Sequence, residues 1–534
     1  MKSERVYEAL SGLPEDLIED AGTHVFRRRT IPWTRFGAVA AAAVLILGLG
    51  TWGLTRSGKG PVSSGGGTGG MGDSGGNDGA SGAYTYMSYA GPVFPLTALG
   101  SSEGITAERH TEFDFSPYET SQGAREQDGE ETAYDHYETE TIVTDRYLMT
   151  NEGEADRTLT LLYPAALSLS KDAKLLPALS LDGAPVSTTL YAGPYAGGFV
   201  DMEGKRDGER WNLAGLRDWE AYKALLESGG YQTKALEDAP ALEEPVTVYK
   251  VDNYVVAPTD AVNPTLLMSF SIDYARTTVL TYGSNGGSDD MENGICGRDV
   301  GGLHREWAIH PMYVILLGDD TTGGYELQGY RNGGCEPGDE IEITATVERY
   351  ESTLGAFLRR IVTEQLETDN FGMLPLEETT LGTLISPELV YKCVAEMFAS
   401  YSSTGETPAE RYRNGMLEDL MGDSFVTTRI FYAAAEVTIP AGETVELAAR
   451  MVKEASFDYF GMGTEKGYAT NGYDLATVLG STLQFTAQYA SVRGLEAVEL
   501  LENSFGFDPA AGVTEVRLDP AQEHYWLKLR RAEG

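Results

Sequence analysis

The stretch from Phe36 to Leu54, FGAVAAAAVLILGLGTWGL, contains nineteen residues and no charged side chain. At about 1.5 Å of rise per residue it would form a helix of about 28 Å, close to the ~30 Å thickness of a bilayer's hydrocarbon core. Trp33 and Trp52 lie near its two ends, where indole rings favour the membrane interface. The stretch therefore predicts a single transmembrane helix at residues 36–54.

The charges around this stretch predict its orientation. Only Arg56 and Lys59 follow it closely, whereas four arginines precede it: Arg27, Arg28, Arg29 and Arg35. Because the more basic flank usually stays cytoplasmic, we expect a cytoplasmic N-terminus and an extracytoplasmic bulk at the cell membrane. A cleaved signal peptide is the alternative. The apolar run exceeds the usual length of about 7–15 residues and more than thirty residues precede it, which favours an uncleaved anchor.

The composition limits the partners of the extracytoplasmic part. The chain has 40 basic and 81 acidic residues, a net charge of −41, and residues 1–35 contain six of each sign. The whole negative excess therefore lies beyond the predicted helix. Such a surface repels nucleic acid, and we expect no nucleic-acid partner. Thirty tyrosines and 10% aromatic residues favour a packed, β-rich fold over disorder.

Several segments of the sequence resemble those of a known group of proteins. The tail contains LPEDLIEDA, the cluster Arg27 to Arg29 and a Trp-x-Arg before the Ala-rich span, and the later phrases are YMSYAGPVFPLT, TTVLTYG and YDLATVLGSTLQF. In these features the chain resembles a group of uncharacterised single-pass membrane proteins of Gram-positive bacteria with a short acidic cytoplasmic tail. Some relatives with similar tails resemble sigma-factor-linked regulators. The resemblance implies a membrane location and a cytoplasmic protein partner at the tail, and it implies no particular activity.

The domain organisation follows from shifts in composition. Ser57 to Gly82 contains twelve glycines and predicts a flexible tether, because it has too little apolar surface to order itself. The predicted segments are a cytoplasmic tail (1–35), the transmembrane helix (36–54), a Gly-rich linker (55–83), a β-rich domain (84–345), a helical section (346–422) and a C-terminal β-sandwich-like domain (423–534). The expected fold class is β-rich α+β, with extracytoplasmic β-sandwich-like domains, a helical insertion and one membrane anchor.

Periodicity predicts individual elements within these domains. A helix starts near Trp219 and ends at Ser228-Gly229-Gly230. Alternating apolar residues predict the strands Thr141–Met149, Arg157–Tyr163, Val246–Val256, Leu266–Ile272, Thr277–Tyr282, Met312–Leu317 and Tyr325–Tyr330. Gly422 is expected to end the last helix of the helical section, with strands resuming from Ser424. The pattern around Pro440-Ala441-Gly442 predicts a hairpin that pairs Val437 and Ile439 with Val445 and Leu447.

No residue can be assigned a catalytic, cofactor-binding or metal-binding role from the sequence. Gly72 to Gly76 matches a serine-nucleophile string, but a nucleophile needs a rigid turn, a base and an oxyanion hole, and this string lies in the tether. Paired carboxylates for glycoside hydrolysis need a separation that the sequence does not give, and no cofactor is expected.

Three groups of residues are candidate sites. Two sulfurs and two imidazoles could surround zinc, with a disulfide or two unpaired thiols as alternatives: Cys296, His304, His310 and Cys335. Oxygen ligands crowd one loop that could hold calcium, although such loops are more often solvated: Asn285, Asp289, Asp290 and Glu292. Aromatic residues that could stack on sugars are more often core: Trp211, Trp219 and Tyr222. Cys393 is expected in the core.

Three functions remain open on the sequence alone. The favoured one is a membrane-anchored extracytoplasmic binding or sensing module, non-catalytic, with an extracellular protein or glycan ligand. The second is a transmembrane regulator that acts through its cytoplasmic tail. The third is a cell-wall-directed hydrolase with a paired-carboxylate site. A deep cleft with two converging acids would favour the hydrolase, and a shallow surface would favour the binding module.

Overall fold

The computed structural model describes residues 85–118, 120–127, 130–137, 140–169, 176–194, 219–304, 310–368, 385–400, 417–460 and 470–532. The predicted tail, transmembrane stretch and tether lie outside these residues. Among the helices that are described, none is both long and apolar enough to cross a membrane. The described part is β-rich with several sheets and few helices, which confirms the predicted fold class at this level.

The described residues divide into two compact units. The smaller unit contains residues 244–304, 310–354 and 417–419, and the larger unit contains the rest. The smaller unit is therefore built mainly from one continuous segment inserted into the sequence of the larger one. Its first strand pairs with its last, since Pro245 lies opposite Thr353, so the two ends of the inserted segment are neighbours.

Two sheets form the smaller unit. Sheet E has the order β13 (Thr278–Tyr282), β16 (Met312–Leu317), β11 (Pro245–Val256) and β19 (Ile343–Thr353). Sheet F has the order β14 (Gly286–Asp290), β15 (Ile295–Gly301), β12 (Thr265–Ser271), β17 (Thr322–Tyr330) and β18 (Glu340–Ile341). Every neighbouring pair within them is antiparallel.

The two sheets of the smaller unit share one apolar core. Sheet E contributes Val251, Met312 and Val314, which are fully buried. Sheet F contributes Leu266 and Met268 to the same cluster. Buried and more exposed residues alternate along β12, whereas β15 and β16 are buried over most of their length. Side chains of both sheets meet in this core, the arrangement seen in β-sandwiches.

The larger unit contains three main sheets. Sheet A has the order β1 (Thr85–Tyr89), β22 (Phe457–Phe460), β23 (Thr470–Ala476), β27 (His524–Arg531) and β25 (Val498–Asn503). Sheet B has the order β10 (Thr189–Ala192), β20 (Arg429–Ile439), β7 (Arg157–Leu167) and β2 (Thr97–Leu99). Sheet C has the order β26 (Glu515–Arg517), β24 (Gln484–Arg493), β3 (Ile105–Asp114), β6 (Thr141–Asn151), β21 (Thr444–Lys453), β8 (Ala178–Leu181) and β9 (Ala184–Pro185). A separate hairpin joins β4 (Thr120–Gln127) and β5 (Glu130–Tyr137).

Five α-helices accompany the sheets within the residues that the structure describes. They are α1 (Trp219–Glu227), α2 (Gly230–Ala235), α3 (Leu354–Thr368), α4 (Pro387–Ser400) and α5 (Leu417–Val426), and a short 3-10 helix spans Pro509–Ala511. Helices α1 and α2 pack on one face of sheet B, where Tyr222 and Tyr231 meet Leu162 and Tyr432. The other face of sheet B meets sheet C, because the hydroxyl of Tyr163 reaches a carboxylate on β6.

The structure corrects two of the expected local features. Helix α5 continues through Gly422 to Val426, so Gly422 does not end it and the strand begins only at Arg429. Nothing lies within 4 Å of a Cβ atom placed on Gly422, so the helix carries this glycine without a packing conflict. A mid-helix glycine costs only about 1 kcal/mol, which packing elsewhere can offset.

The expected hairpin around Pro440-Ala441-Gly442 is also wrong. Strand β20 pairs with β7 and β10 in sheet B, whereas β21 pairs with β6 and β8 in sheet C. The turn therefore carries the chain from one sheet to the facing one. Both strands have an apolar face, and this pattern fits an inter-sheet crossing as well as it fits a hairpin.

Candidate functional site

The exposed face of sheet C carries a row of four side chains in register across four strands. Arg517 on β26 lies opposite Tyr489 on β24, Tyr489 is the partner of His110 on β3, and His110 lies opposite Arg146 on β6. Residues that are partners in a sheet project from the same face. We refer to Arg517, Tyr489, His110 and Arg146 as the sheet C row.

The two aromatic rings at the centre of the sheet C row stack on each other. The centroids of His110 and Tyr489 are 4.7 Å apart, with an angle of 12° between the ring planes. Nε2 of His110 lies 2.7 Å from Oε1 of Glu108, two residues earlier on the same face of β3. This bond orients the imidazole, so the centre of the row is held in one arrangement.

The two ends of the sheet C row are exposed guanidinium groups. Within the part of the chain that the structure describes, neither Arg146 nor Arg517 has a hydrogen bond or an ion pair, and the same holds for exposed Arg450 on β21. By contrast, exposed Arg331 and Arg349 each bind an aspartate. Unpaired arginines are unexpected in a chain with twice as many acidic as basic residues, because carboxylates are abundant around them.

Carboxylates flank the sheet C row on both sides. Glu108 and Glu446 belong to the neighbouring rows on one side, and Glu112 and Glu515 to those on the other. Glu112 is engaged by Arg493, at 3.2 Å. The face therefore presents a line of positive groups between carboxylates, and the flank that contains Glu112 and Glu515 also contains the exposed Arg450 on β21. This arrangement is able to bind a ligand with both anionic and hydroxyl groups.

Behind this face, sheet C carries a buried ion pair. Asp145 accepts hydrogen bonds from Nε and Nη2 of Arg109 at 2.9 and 2.8 Å, from Thr111 at 2.7 Å and from Tyr147 at 2.5 Å. Both charged side chains are fully buried. Burial alone would lower the pKa of Arg109, and the attraction of Asp145 outweighs it and raises that pKa. Because the pair is inaccessible and amply hydrogen-bonded, its role is structural.

A second polar cluster lies where sheet A meets α1. Nε2 of His524 lies 2.7 Å from Oδ2 of the fully buried Asp474. Trp219 of α1 stacks on the His524 ring with centroids 4.4 Å apart. A carboxylate that orients an imidazole also occurs in catalytic dyads, but here the indole covers one face of the ring. The geometry explains how α1 is held against the sheet.

Lys453, at the end of β21, is buried near this cluster. Its ammonium group donates to the carbonyl oxygen of Gly91 at 2.7 Å. Burial lowers the pKa of Lys453 from 10.5 to about 8, although the nearby Asp474 acts in the opposite direction. Gly91 has φ +81°, and a Cβ atom there would lie 3.1 Å from Tyr222, so only glycine suits this close approach.

The carboxyl group of Glu418, on α5, has a raised pKa. Burial raises the pKa of Glu418 to about 7, while a hydrogen bond from the amide of Gly283 lowers it. Oε2 of Glu418 is buried and has no hydrogen-bond partner among the described residues. A carboxyl group that stays protonated near neutral pH is what a general acid requires.

The structure does not bring the four residues weighed for zinc together as a ligand set. Cys296 is fully buried in sheet F, and burial raises its pKa. Cys335 lies half-buried in the turn after β17, with φ +51°. Both thiols are unbridged, as is that of the buried Cys393. Within the described ranges, no group of three or more His, Cys, Asp or Glu side chains is placed to hold a metal ion.

The acidic loop weighed for calcium is part of a β-hairpin. Asp289 on β14 binds Nη1 of Arg298 at 2.9 Å and accepts from Tyr274 at 2.8 Å. Asp290 accepts from the amide and side chain of Asn293 in the turn. Asn285 accepts from the amide of Gly301, and Glu292 is exposed. The oxygens of Asp289 thus serve the hairpin itself.

The aromatic residues weighed for sugar stacking fall in different places. Tyr222 is fully buried and Trp219 is half-buried on His524, so neither presents an open ring face. Trp211 lies outside the described residues. Sequence reasoning missed the sheet C row, because its members are separated by up to 407 positions and only strand register brings them together. The alternation in ITAERHTEFD was the one local signal, since it places His110 on an outward face.

Comparison with protein-family models, with curated proteins and with solved structures finds no match for this chain.

Proposed function

We propose that the chain is a membrane-anchored extracytoplasmic module that binds a ligand or senses a condition outside the cell, without catalytic activity. In this proposal residues 36–54 cross the cell membrane once, residues 1–35 are cytoplasmic and the bulk of the chain is extracytoplasmic. The support is the uncharged stretch, the arginine excess before it and the glycine-rich tether after it. The ligand is an extracellular protein or glycan.

The observation that carries the binding role is the sheet C row. Exposed arginines that have no partner in the described part of the chain occupy both of its ends, although the chain has a net charge of −41. Exposed guanidinium groups that bind no carboxylate among the described residues can offer their donors to a ligand. An exposed sheet face of this kind suits recognition better than catalysis, since it does not exclude water from a reacting group.

The test uses the full-length protein in detergent micelles. We expect that a panel of glycans and peptides will contain a ligand that raises the unfolding temperature, and that this ligand will be recovered unchanged. A substitution in the row, Arg146→Gln, should weaken that effect, whereas Arg157→Gln on β7 should not. Turnover of any ligand on the panel would contradict the non-catalytic part of the proposal.

Glu418 supports a second candidate, the wall-directed hydrolase. Its raised pKa suits a general acid, but the neighbouring Asp419 is a poor second carboxylate, because successive residues on a helix point in different directions. Peptidoglycan should be incubated with the full-length protein and with its Glu418→Gln variant. Release of soluble fragments by the first and not by the second would establish the hydrolase.

A further inference from the structure

We infer that the sheet C row binds a carboxylate-bearing glycan. This inference rests on the proposed binding function and names the class of its ligand.

The spacing of the row sets the distance between the charges that it can bind. Arg517 and Arg146 are three strand steps apart, on β26 and β6. At about 4.8 Å per step, their backbone positions are about 14 Å apart. A ligand that engages both guanidinium groups must therefore run across the strands and carry anionic groups separated by several bonds.

The chemistry of the row favours planar anionic groups. Guanidinium groups bind carboxylates with two parallel hydrogen bonds, and those of Arg146 and Arg517 are exposed without partners in the described chain. Between them, His110 and Tyr489 stack on each other, so their ring edges rather than their faces point outward. Aromatic edges carry partial positive charge, which continues the positive line between the two arginines.

The flanking carboxylates exclude ligands of high charge density. Glu112 is engaged by Arg493 and shares its row with Arg450, so anionic groups outside the sheet C row would be repelled mainly by Glu108, Glu446 and Glu515. The net charge of −41 adds to this repulsion, which disfavours nucleic acid and polyphosphate.

The same carboxylates favour hydroxyl groups. A carboxylate offers about four acceptor positions, and Glu446 and Glu515 have no side-chain partner among the described residues. Neutral sugars supply many hydroxyl donors, and a glycan with a carboxylate on alternate sugars places charged and neutral groups in turn. Such a ligand matches the row and its two flanks together, whereas an acidic peptide supplies far fewer hydroxyl groups.

Isothermal titration with the full-length protein in micelles tests this inference. The probe is a hyaluronan octasaccharide, in which glucuronate alternates with a neutral amino sugar. We expect binding that weakens as salt is raised. Arg146→Gln and Arg517→Gln should each weaken it about tenfold, because each removes charge-assisted hydrogen bonds to a carboxylate of the ligand. Arg157→Gln, at a half-buried arginine on β7 outside the row, should leave the affinity unchanged.

Other probes decide the ligand class. Chitin oligosaccharides, which lack carboxylates, should bind at least tenfold more weakly than the octasaccharide. Poly-L-glutamate that binds as tightly, with the same loss in the arginine variants, would instead identify an acidic peptide as the ligand. Absence of octasaccharide binding, or binding that ignores both arginine variants, would also overturn the inference. Cleavage of the bound octasaccharide would leave the ligand class intact and would contradict the non-catalytic function.

Discussion

Asp145 and Arg109 illustrate how single residues hold the larger unit together. Both are fully buried, and the carboxylate accepts hydrogen bonds from an arginine, a threonine and a tyrosine. The guanidinium also donates to the carbonyl oxygen of Ala476 at 2.6 Å, so this one side chain joins sheet C to the end of β23 in sheet A. Removal of either charge leaves the other buried without compensation.

We therefore expect Asp145→Asn to lower the free energy of unfolding of the larger unit by about 3–5 kcal/mol. The variant keeps the size of the side chain and removes only its charge. Denaturant titration followed by tryptophan fluorescence measures the loss. Glu499→Gln, which breaks an exposed pair with Arg530, is the control and should change the stability far less. Equal losses in the two variants would contradict the assignment of Asp145 as a structural anchor.

The lowered pKa of the buried Lys453 amine makes the stability of the protein depend on pH. Its pKa falls from 10.5 in the unfolded chain to about 8 in the folded protein. Between these values the unfolded chain binds more protons, so the free energy of unfolding rises as the pH increases from about 8 to 10.5. The stabilisation associated with the neutral Lys453 amine is complete above pH 10.5 and is lost below pH 8. A shift of this size corresponds to about 3 kcal/mol.

In Lys453→Met this pH-dependent gain should disappear, because the side chain no longer titrates. The measurement is the difference in unfolding free energy between pH 7.5 and pH 10 for the variant and for the unaltered protein. Lys528→Met, on the less buried face of β27, is a matched control that should keep the gain. A Lys453→Met protein with the original pH dependence would show that the buried amine is not its source.

At the scale of elements, helix α1 depends on its contacts with sheet A. It has only nine residues, and helices this short are marginal in water. Trp219 stacks on His524, and Lys223 forms an ion pair with Glu523 on the same side. Tyr222 is buried between α1 and the sheets. Tertiary packing rather than intrinsic propensity therefore keeps this segment helical.

Trp219→Ala should accordingly make local unfolding of α1 easier. An aromatic pair contributes about 0.5–1.5 kcal/mol, so amide hydrogen exchange in residues 219–227 should become up to about tenfold faster. Exchange in β23 and β27 should change much less. Glu220→Ala, an exposed position on the same helix, is the control. Uniform acceleration across sheet A would mean that the indole supports the sheet rather than the helix.

Elements defined by local signals could be predicted from the sequence, whereas their partners could not. Strand β16 spans Met312–Leu317 and α1 ends before Gly229, both as the periodicity and turn residues predict. The predicted pairing of β20 with β21 is wrong, because an apolar strand face can pack against a facing sheet whether or not the two strands are neighbours in one sheet. The sheet C row could not be predicted for a related reason, since its geometry depends on the register of four strands that are distant in sequence.

At the scale of the whole molecule, the smaller unit has the features of an independent domain. Residues 244–354 supply both of its sheets, and one apolar cluster contains side chains from each. Its first and last strands pair along most of their length, so the ends of the segment are adjacent. Insertion of such a segment leaves the host sequence able to continue from nearly the same point.

The segment 244–354 produced alone should therefore fold. We expect a cooperative thermal transition, measured by circular dichroism, because the core cluster lies within the segment. Val314→Asp, which places a charge at a fully buried position of β16, should abolish the transition. A gradual change in the unaltered segment would mean that it needs other parts of the chain to fold.

The membrane topology is the largest-scale feature that the sequence predicts. Arg27, Arg28, Arg29 and Arg35 precede the uncharged stretch, and this excess should keep the N-terminus in the cytoplasm. Protease added to intact protoplasts should then degrade the chain beyond residue 55 and spare an epitope at the N-terminus. Replacement of the four arginines by serine should reduce this asymmetry, because the remaining basic residues near the membrane are Arg56 and Lys59 on the other side. Lysis before digestion, which exposes both ends, is the control. Protection of the C-terminal half in intact protoplasts would overturn the proposed orientation, and with it the extracytoplasmic role of the sheet C row.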